Sequence, residues 1–327
     1  MEFPPELREA ISRMLEGVSR TALGECAQRI SELYRGGGVS AVAIRDEMDA
    51  LAYVVTRLPA TYGAIRQVLQ RLQERCAEFR PRNILDLGCG PGTASWASVH
   101  AWPEIESIAQ VDSNGALLEL GRTLAQTASA KALRSANQVT DDISRISGTS
   151  RTFEFVILSY TLAELAQHQI ESALNHAWLR CAGALAIVEP GTPAGYTRIL
   201  LARDQLRALR ARMLAPCPHE LACPLAASDW CHFAQRVSRT RDHIFLKGAE
   251  LPYEDEKFAY LIVVREPLFR PAEKSRILAR PEINKAGFTS KLCTLEGQCE
   301  LVSIGRRDAQ VFKRARKLVW GDELQLR

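Results

Sequence analysis

The stretch that most constrains this chain runs from Asn83 to Thr93. Asn83-Ile84-Leu85-Asp86-Leu87 is a short apolar run, and it meets Gly88-Cys89-Gly90-Pro91-Gly92-Thr93, with glycine at every second position. The pattern reads as a buried strand entering a glycine loop, with a helix predicted from about Thr93 to His100. That context, strand before and helix after, is what gives a glycine pattern meaning. The glycines permit a tight turn and close backbone approach, and the helix N-terminus offers free N–H groups to a polar ligand. The next predicted strand, Ser107 to Asp112, ends in an acid 20 residues beyond Gly92, placed to accept both ribose hydroxyls of a nucleoside ligand. A nicotinamide fold would offer such an acid too. Two details favour S-adenosylmethionine: the spacing is G-x-G-x-G rather than G-x-G-x-x-G, and Asp86 lies two residues before the first glycine, placed to meet an amino-acid ammonium. Asp142, after the third strand, is placed to reach an adenine amino group. The candidate cofactor-binding set is therefore Asp86, Gly88, Gly90, Gly92, Thr93, Asp112, Asp142 and Ser159.

The surrounding pattern extends this unit into a fold. Further strands are predicted at Gln138–Thr140, Phe153–Ser159 and Ala184–Gly191, with helices after Asp112 through about 130 and over 169–182. Alternating strands and helices argue for a doubly wound, Rossmann-like α/β sheet. His243–Lys247 and Phe258–Glu266 are expected as two more strands closing it. Ahead of the sheet, residues 1–79 read as a helical element: one amphipathic helix over 6–34, broken by Gly36-Gly37-Gly38, a second over 39–57 ended by Pro59, and a third over 61–79. Residues 80–268 form the ligand-binding domain, in which 193–213 are helical and basic. Residues 269–327 read as a small β module with turns at Lys285-Ala286-Gly287 and Glu296-Gly297, followed by a basic helix over 307–320.

The cysteines carry the second signal. The chain has 327 residues and nine cysteines. No apolar run of about 18 residues exists, so no membrane span is expected. The start, Met1-Glu2-Phe3-Pro4-Pro5-Glu6, has neither a secretory nor a transit pattern, which points to the cytosol, where thiols stay reduced. Clustered cysteines then suggest a metal. Cys217-Pro218-His219, Cys223-Pro224 and Trp230-Cys231-His232 place three thiols at spacings C-x5-C and C-x7-C. Zinc knuckles use closer pairs, so the spacing leans towards an iron–sulfur cluster, with zinc and unliganded thiols still open. A fourth ligand would come from Cys293 or Cys299, or from His219 or His232. Charge is also uneven. Residues 197–327 hold 24 Lys and Arg against 16 Asp and Glu, while residues 1–196 hold 18 against 22. A basic half of +8 beside an acidic half of −4 is compatible with a nucleic-acid surface.

No catalytic residue stands out. After the fourth strand the chain reads Ser159-Tyr160-Thr161-Leu162-Ala163-Glu164-Leu165, without the Asn-Pro-Pro-Tyr of exocyclic-amine methylases, and Glu164 is more simply a helix-starting glutamate than a base. A small-molecule or protein methyltransferase with a structural zinc loop is the alternative to an RNA-directed reading.

Taken together, these motifs resemble the methyltransferase-like assembly-factor family of the mitochondrial small ribosomal subunit, which also has bacterial members. The resemblance rests on Leu85-Asp86-Leu87-Gly88-Cys89-Gly90-Pro91-Gly92-Thr93-Ala94-Ser95-Trp96-Ala97, on Ser159 to Leu165, on Val188-Glu189-Pro190-Gly191-Thr192-Pro193, on the block from Ala215 to Arg236 and on Trp320-Gly321-Asp322. It covers roughly residues 50 to 322. The resemblance implies a class I methyltransferase sheet, a metal-binding loop over 214–236, and a role in small-subunit assembly with binding to ribosomal RNA. It also implies a four-iron four-sulfur (4Fe-4S) cluster on Cys217, Cys223, Cys231 and a cysteine of the β module, which we place at Cys293 with Cys299 as its rival. Both RNA methylation and a non-catalytic binding platform are compatible with it. The expected protein is a bacterial, cytoplasmic member, monomeric when off the ribosome, with no membrane partner.

Overall fold

The computed structural model describes residues 3–145, 151–226 and 228–325. The chain opens with α1 (Pro5–Met14), α2 (Arg20–Arg35), α3 (Ser40–Ala43) and α4 (Glu47–Arg75). The single helix expected over 6–34 is two helices. Gly17 turns the chain with a φ of 73°, and Ser19 caps α2, its hydroxyl accepting from the Ala22 N–H. Pro59 does not end a helix either; it lies inside α4. An interior proline costs about 3 kcal/mol. Each fully buried Leu or Ile returns about 2 kcal/mol, and α4 buries Leu58, Ile65, Leu69 and Leu72 completely, so packing outweighs the proline.

The sheet domain follows as β1 (Asn83–Leu87), α5 (Thr93–Ala101), β2 (Ser107–Asp112), α6 (Gly115–Ala125), α7 (Lys131–Arg134), β3 (Asn137–Thr140), β4 (Phe153–Ser159), α8 (Gln167–Arg180), β5 (Cys181–Pro190), α9 (Pro193–Ala208), β6 (Arg212–Ala215), β7 (Phe233–Ser238), α10 (Arg241–Lys247) and β8 (Tyr253–Val264). Strand order is β3-β2-β1-β4-β5-β8-β6, with β7 beside β8. Strands β1 to β5 pair in parallel, and β8 enters antiparallel to β5. This is the doubly wound α/β sheet expected, in the order of a class I methyltransferase sheet. Its central strands are buried on both faces, as helix-covered parallel strands are. One face packs on α4, α5 and α6 through residues such as Trp96, Phe155 and Phe258. The other packs on α8 and α9 through Val156, Leu185 and Leu206.

Several boundaries differ from expectation. Residues 243–247 are helical, not a strand: Thr240 caps α10 by accepting from the His243 N–H, and Gly248 closes it in the left-handed region. The basic helix expected over 193–213 stops at Ala208, because Arg212–Ala215 is needed as an edge partner of β8. The helix expected through 130 is divided into α6 and α7. Strand β7 has no clear apolar alternation and was not expected.

The C-terminal module comprises β9 (Ser275–Ile277), β10 (Glu282–Ile283), β11 (Gly287–Cys293), β12 (Cys299–Gly305), α11 (Ala309–Ala315) and β13 (Glu323–Leu324). It has its own small core of Ile277, Phe288, Leu292 and Leu324. The basic helix at the tail is shorter than the expected 307–320. Among the described residues no helix is long and apolar enough to cross a membrane.

One contact makes the end of β5 unusually intolerant. Gly195 sits in the first turn of α9, its N–H donating to the Thr192 hydroxyl at 3.1 Å, and a Cβ there would overlap the Pro190 carbonyl. Backbone cannot yield as a side chain does, so Gly195→Ala should destabilise the fold by about 3 kcal/mol. A urea midpoint equal to that of the parent protein would refute this packing.

Candidate functional site

A cavity of about 130 Å³ opens where β1, β2 and β4 end, the position at which open α/β sheets bind ligands. Gly88 and Gly90 line it, with Asp112, Asp142 and Ser159. Gly88 has a φ of 68°, and a side chain there would strike Thr161, so only glycine fits. Its N–H and that of Cys89 both donate to the Val111 carbonyl, at 2.8 and 3.1 Å, which pins the loop over β2.

Asp112 is almost buried. One oxygen accepts from the Gly90 N–H at 2.6 Å and the other from the Asn114 N–H at 2.8 Å. Burial pushes its carboxyl up, and these backbone donors work against that. Asp142 accepts from the Ser144 N–H at 2.9 Å and from its hydroxyl at 2.7 Å; the hydroxyl is the main reason its carboxyl is held low. Both acids keep lone pairs for a ligand.

The other three expected residues stand apart from the cavity lining. Asp86, Gly92 and Thr93 lie behind the loop. Asp86 is fully buried. One of its oxygens accepts from the Ser95 N–H at 3.0 Å and the Ser95 hydroxyl at 2.7 Å, and the other has no protein partner. Burial, only partly offset by Ser95, pushes this carboxyl up to about 7. Gln110 donates to the same Ser95 hydroxyl oxygen at 2.8 Å, and Gln138 to Gln110 at 3.0 Å, so a polar chain runs beneath the loop.

Sequence reasoning missed the roof. Tyr34, Ser40 and Tyr53, from the N-terminal helical element, also line the cavity. Ser40 holds Glu164 through its N–H at 3.2 Å and through a short bond from its hydroxyl. Asn114 donates to the Ser40 and Ile44 carbonyls at 3.2 and 2.9 Å. Glu164, read as a helix-starting residue, is therefore the latch of the roof. No local pattern signals a pairing across 124 positions. Tyr160 also lines the cavity, with a φ of 59° that is unusual outside glycine. Its hydroxyl donates to Glu256 at 3.0 Å, and Arg57 reaches the same carboxylate oxygen at 3.1 Å.

The second site is a cavity of about 30 Å³ lined by Cys217, Cys223, Cys231 and Cys293. Three thiols come from the loop between β6 and β7, and the fourth from the end of β11. Cys299 faces Cys293 across the β11–β12 ladder but does not line the cavity. All nine cysteines are free. Burial pushes the Cys217 and Cys231 thiols up, and burial with the neighbouring thiols takes Cys293 up to about 12. Among the described residues no three His, Cys, Asp or Glu side chains converge closely enough to hold a single metal ion. His219 and His232 do not line the cavity, although His219 Nε2 lies 3.3 Å from Cys293 Sγ.

The sequence profile of the family described as mitochondrial small ribosomal subunit Rsm22 matches residues 47–325. The human protein named ribosome assembly protein METTL17, mitochondrial, is 25% identical over 300 residues, which cover 84% of this chain and 62% of that protein. The chain thus spans less than two thirds of that relative's length. Similar solved structures include magnesium protoporphyrin IX methyltransferase from Synechocystis PCC 6803 with bound SAM, 13% identical with a TM-score of 0.42, over 68% of this chain and 85% of that one. N-methyltransferase NodS from Bradyrhizobium japonicum WM9 is 12% identical with a TM-score of 0.39, over 63% of this chain and 98% of that one.

The buried Asp86 generates a pH dependence. Its folded value of about 7 lies above the ordinary 3.8, so between those limits the folded state binds the extra proton and stability falls as pH rises. The loss accumulates to at most about 4 kcal/mol and is complete above about pH 7. Asp86→Asn cannot titrate, so the variant should gain on the parent protein between about pH 4 and pH 7 in denaturant unfolding without ligand. Parallel pH profiles for the two proteins would refute the assignment.

Proposed function

The chain belongs to the Rsm22 family of the mitochondrial small ribosomal subunit, and from that premise we propose that it is an assembly factor of the small ribosomal subunit. In this reading it binds ribosomal RNA, holds S-adenosylmethionine in the cleft of the sheet, and carries a four-iron four-sulfur cluster on Cys217, Cys223, Cys231 and Cys293. The observation that carries the reading is that the family match spans both the glycine loop and all four cysteines, each set gathered around its own cavity. The name of the human relative supports the ribosomal part.

The residues present fit both groups. In the cleft, Asp112 would accept the ribose hydroxyls and Asp142 the adenine amino group. Asp86, fully buried behind the loop, does not line the cavity, so its part in this reading is to hold the loop through Ser95 rather than to touch the ligand. At the second site the donor set is four thiols around one shared cavity, which suits a group larger than one ion. When bound, the cluster supplies thiolate–iron bonds that tie the β6–β7 loop to β11. Its role is structural. The RNA surface is assigned to the C-terminal module, where Arg306, Arg307, Lys313, Arg314, Arg316 and Lys317 lie within twelve residues. The protein is read as a monomer off the ribosome. Its location follows that of the subunit it serves. The human relative is mitochondrial by name, and the cytoplasm is the compartment we propose for this chain.

Two experiments test the reading. Protein purified without oxygen should be brown and contain about four iron and four sulfide per chain. Cys217→Ser, Cys231→Ser and Cys293→Ser should lose that content, and Cys299→Ser should keep it. A colourless protein with one zinc would overturn the cluster. Separately, Asp112→Ala should weaken S-adenosylmethionine binding at least tenfold by calorimetry. The same variant should still co-sediment with small subunits, in a manner that falls with salt. Salt-independent association, or none, would overturn the RNA-binding role.

A further inference from the structure

The four-cysteine cavity is lined by two arginines that water scarcely reaches. Arg203, on α9, is 1% exposed, and Arg276, on β9, is 2% exposed. Arg276 donates to the Pro216 carbonyl at 3.0 Å, to the Gly321 carbonyl at 2.7 Å and to Glu323 at 2.8 Å. Arg203 is poorly compensated. It donates to the Leu221 carbonyl and, at 3.5 Å, to the His219 carbonyl, both neutral acceptors, while its Nε has no partner. Its acidic neighbour, Asp204, stands 3.6 Å away and is 71% exposed, so most of that attraction is screened by solvent. A buried guanidinium needs a buried counter-charge. The groups beside it that can supply one are the thiols, once ionised. Both arginines line the same cavity as the four thiols.

A third group completes the pattern. The Tyr196 hydroxyl, one turn ahead of Ile199 on α9, lies 3.0 Å from Cys223 Sγ. Either atom can donate while the thiol is protonated, but towards a thiolate only the phenol can. Two cations and the Tyr196 hydroxyl thus lie beside four sulfurs, and among the described residues no carboxylate lines the cavity.

We propose that Arg203, Arg276 and Tyr196 set the reduction potential of the group held by the four cysteines. The inference rests on reading those thiols as ligands of an iron–sulfur cluster. Four thiolates leave such a cluster with net negative charge, and an added electron makes it more negative. Buried cations and donors to sulfur stabilise that reduced form, so they raise the potential. All three are positioning residues, and none is itself a ligand.

The test is a potentiometric titration with dithionite and mediators, followed by electron paramagnetic resonance on the intact, iron-loaded protein. Tyr196→Phe removes one oxygen and should move the midpoint to more negative values with iron content unchanged. Arg203→Gln should move it further in the same direction. Arg203→Lys keeps the charge and should remain near the parent value, which a merely structural role would not predict. If Arg203→Gln fails to load iron, Tyr196→Phe decides alone. Unshifted midpoints in fully loaded Tyr196→Phe and Arg203→Gln would overturn this inference and leave the cluster standing. A parent protein that binds no iron would remove both.

Discussion

Strand β8 is the constraint on which the rest of this molecule depends. Its 12 residues satisfy three neighbours at once. Along Phe258–Val264 it pairs with β5, at Ile262–Val264 also with β6, and along Tyr253–Phe258 with β7. Buried backbone groups must be paired, so these ladders allow little freedom in register. The cysteine loop runs from β6 to β7, and both of its ends are therefore pinned to one strand. The C-terminal module then follows β8 directly. Arg276, at its first strand, reaches back to the Pro216 carbonyl beside Cys217. The four thiols meet because one strand holds the two ends of the loop while its own continuation brings the fourth thiol to it.

What could be read in advance followed from locality. The strand, glycine loop and helix around Asp86 to Thr93 are specified by neighbours in sequence, and the folded chain has them where they were expected. The four-cysteine grouping needed more: three thiols were visible from spacing, Cys293 was one of four candidates for the fourth place, and only the resemblance chose it. The failures are cases where tertiary burial overrode a local rule. Pro59 should break a helix, yet α4 is long and buried enough to absorb it. Residues 243–247 look like a strand by composition, but Thr240 and Gly248, both legible as cap residues, make the segment a helix. The roof over the cleft was invisible in principle, since the Ser40–Glu164 bond joins segments with no shared pattern.

The two cavities are opposite in charge. The cleft presents Asp112, Asp142 and Glu164, with Asp86 behind the loop, and suits a ligand that carries a sulfonium and an ammonium. The thiol cavity presents Arg203 and Arg276, and suits a group of net negative charge. Each excludes the other's ligand by the cost of burying like charges together. Of the acids in the cleft, Glu164 is already engaged by Ser40 and Tyr34.

The cavities are not mechanically separate, because α9 belongs to both. Near its start, Arg198 holds the fully buried Glu189 at 2.7 Å. The other oxygen of Glu189 accepts from the Leu162 N–H at 3.0 Å, at the head of the short turn that carries Glu164 to the cleft. The same helix presents Tyr196, Ile199 and Arg203 at spacings of three and four, a single face, to the thiol cavity. From Tyr196 to Arg203 is about 10 Å of helix, and the element is wedged against the sheet by Ile199, Ala202 and Leu206. Packed interiors do not deform smoothly. A displacement of α9 that spoils the hydrogen bond to Cys223 must also disturb the ion pair at Glu189, and with it the floor under Leu162. The order of the thiol site and the shape of the cleft are thus two readings of where one helix sits.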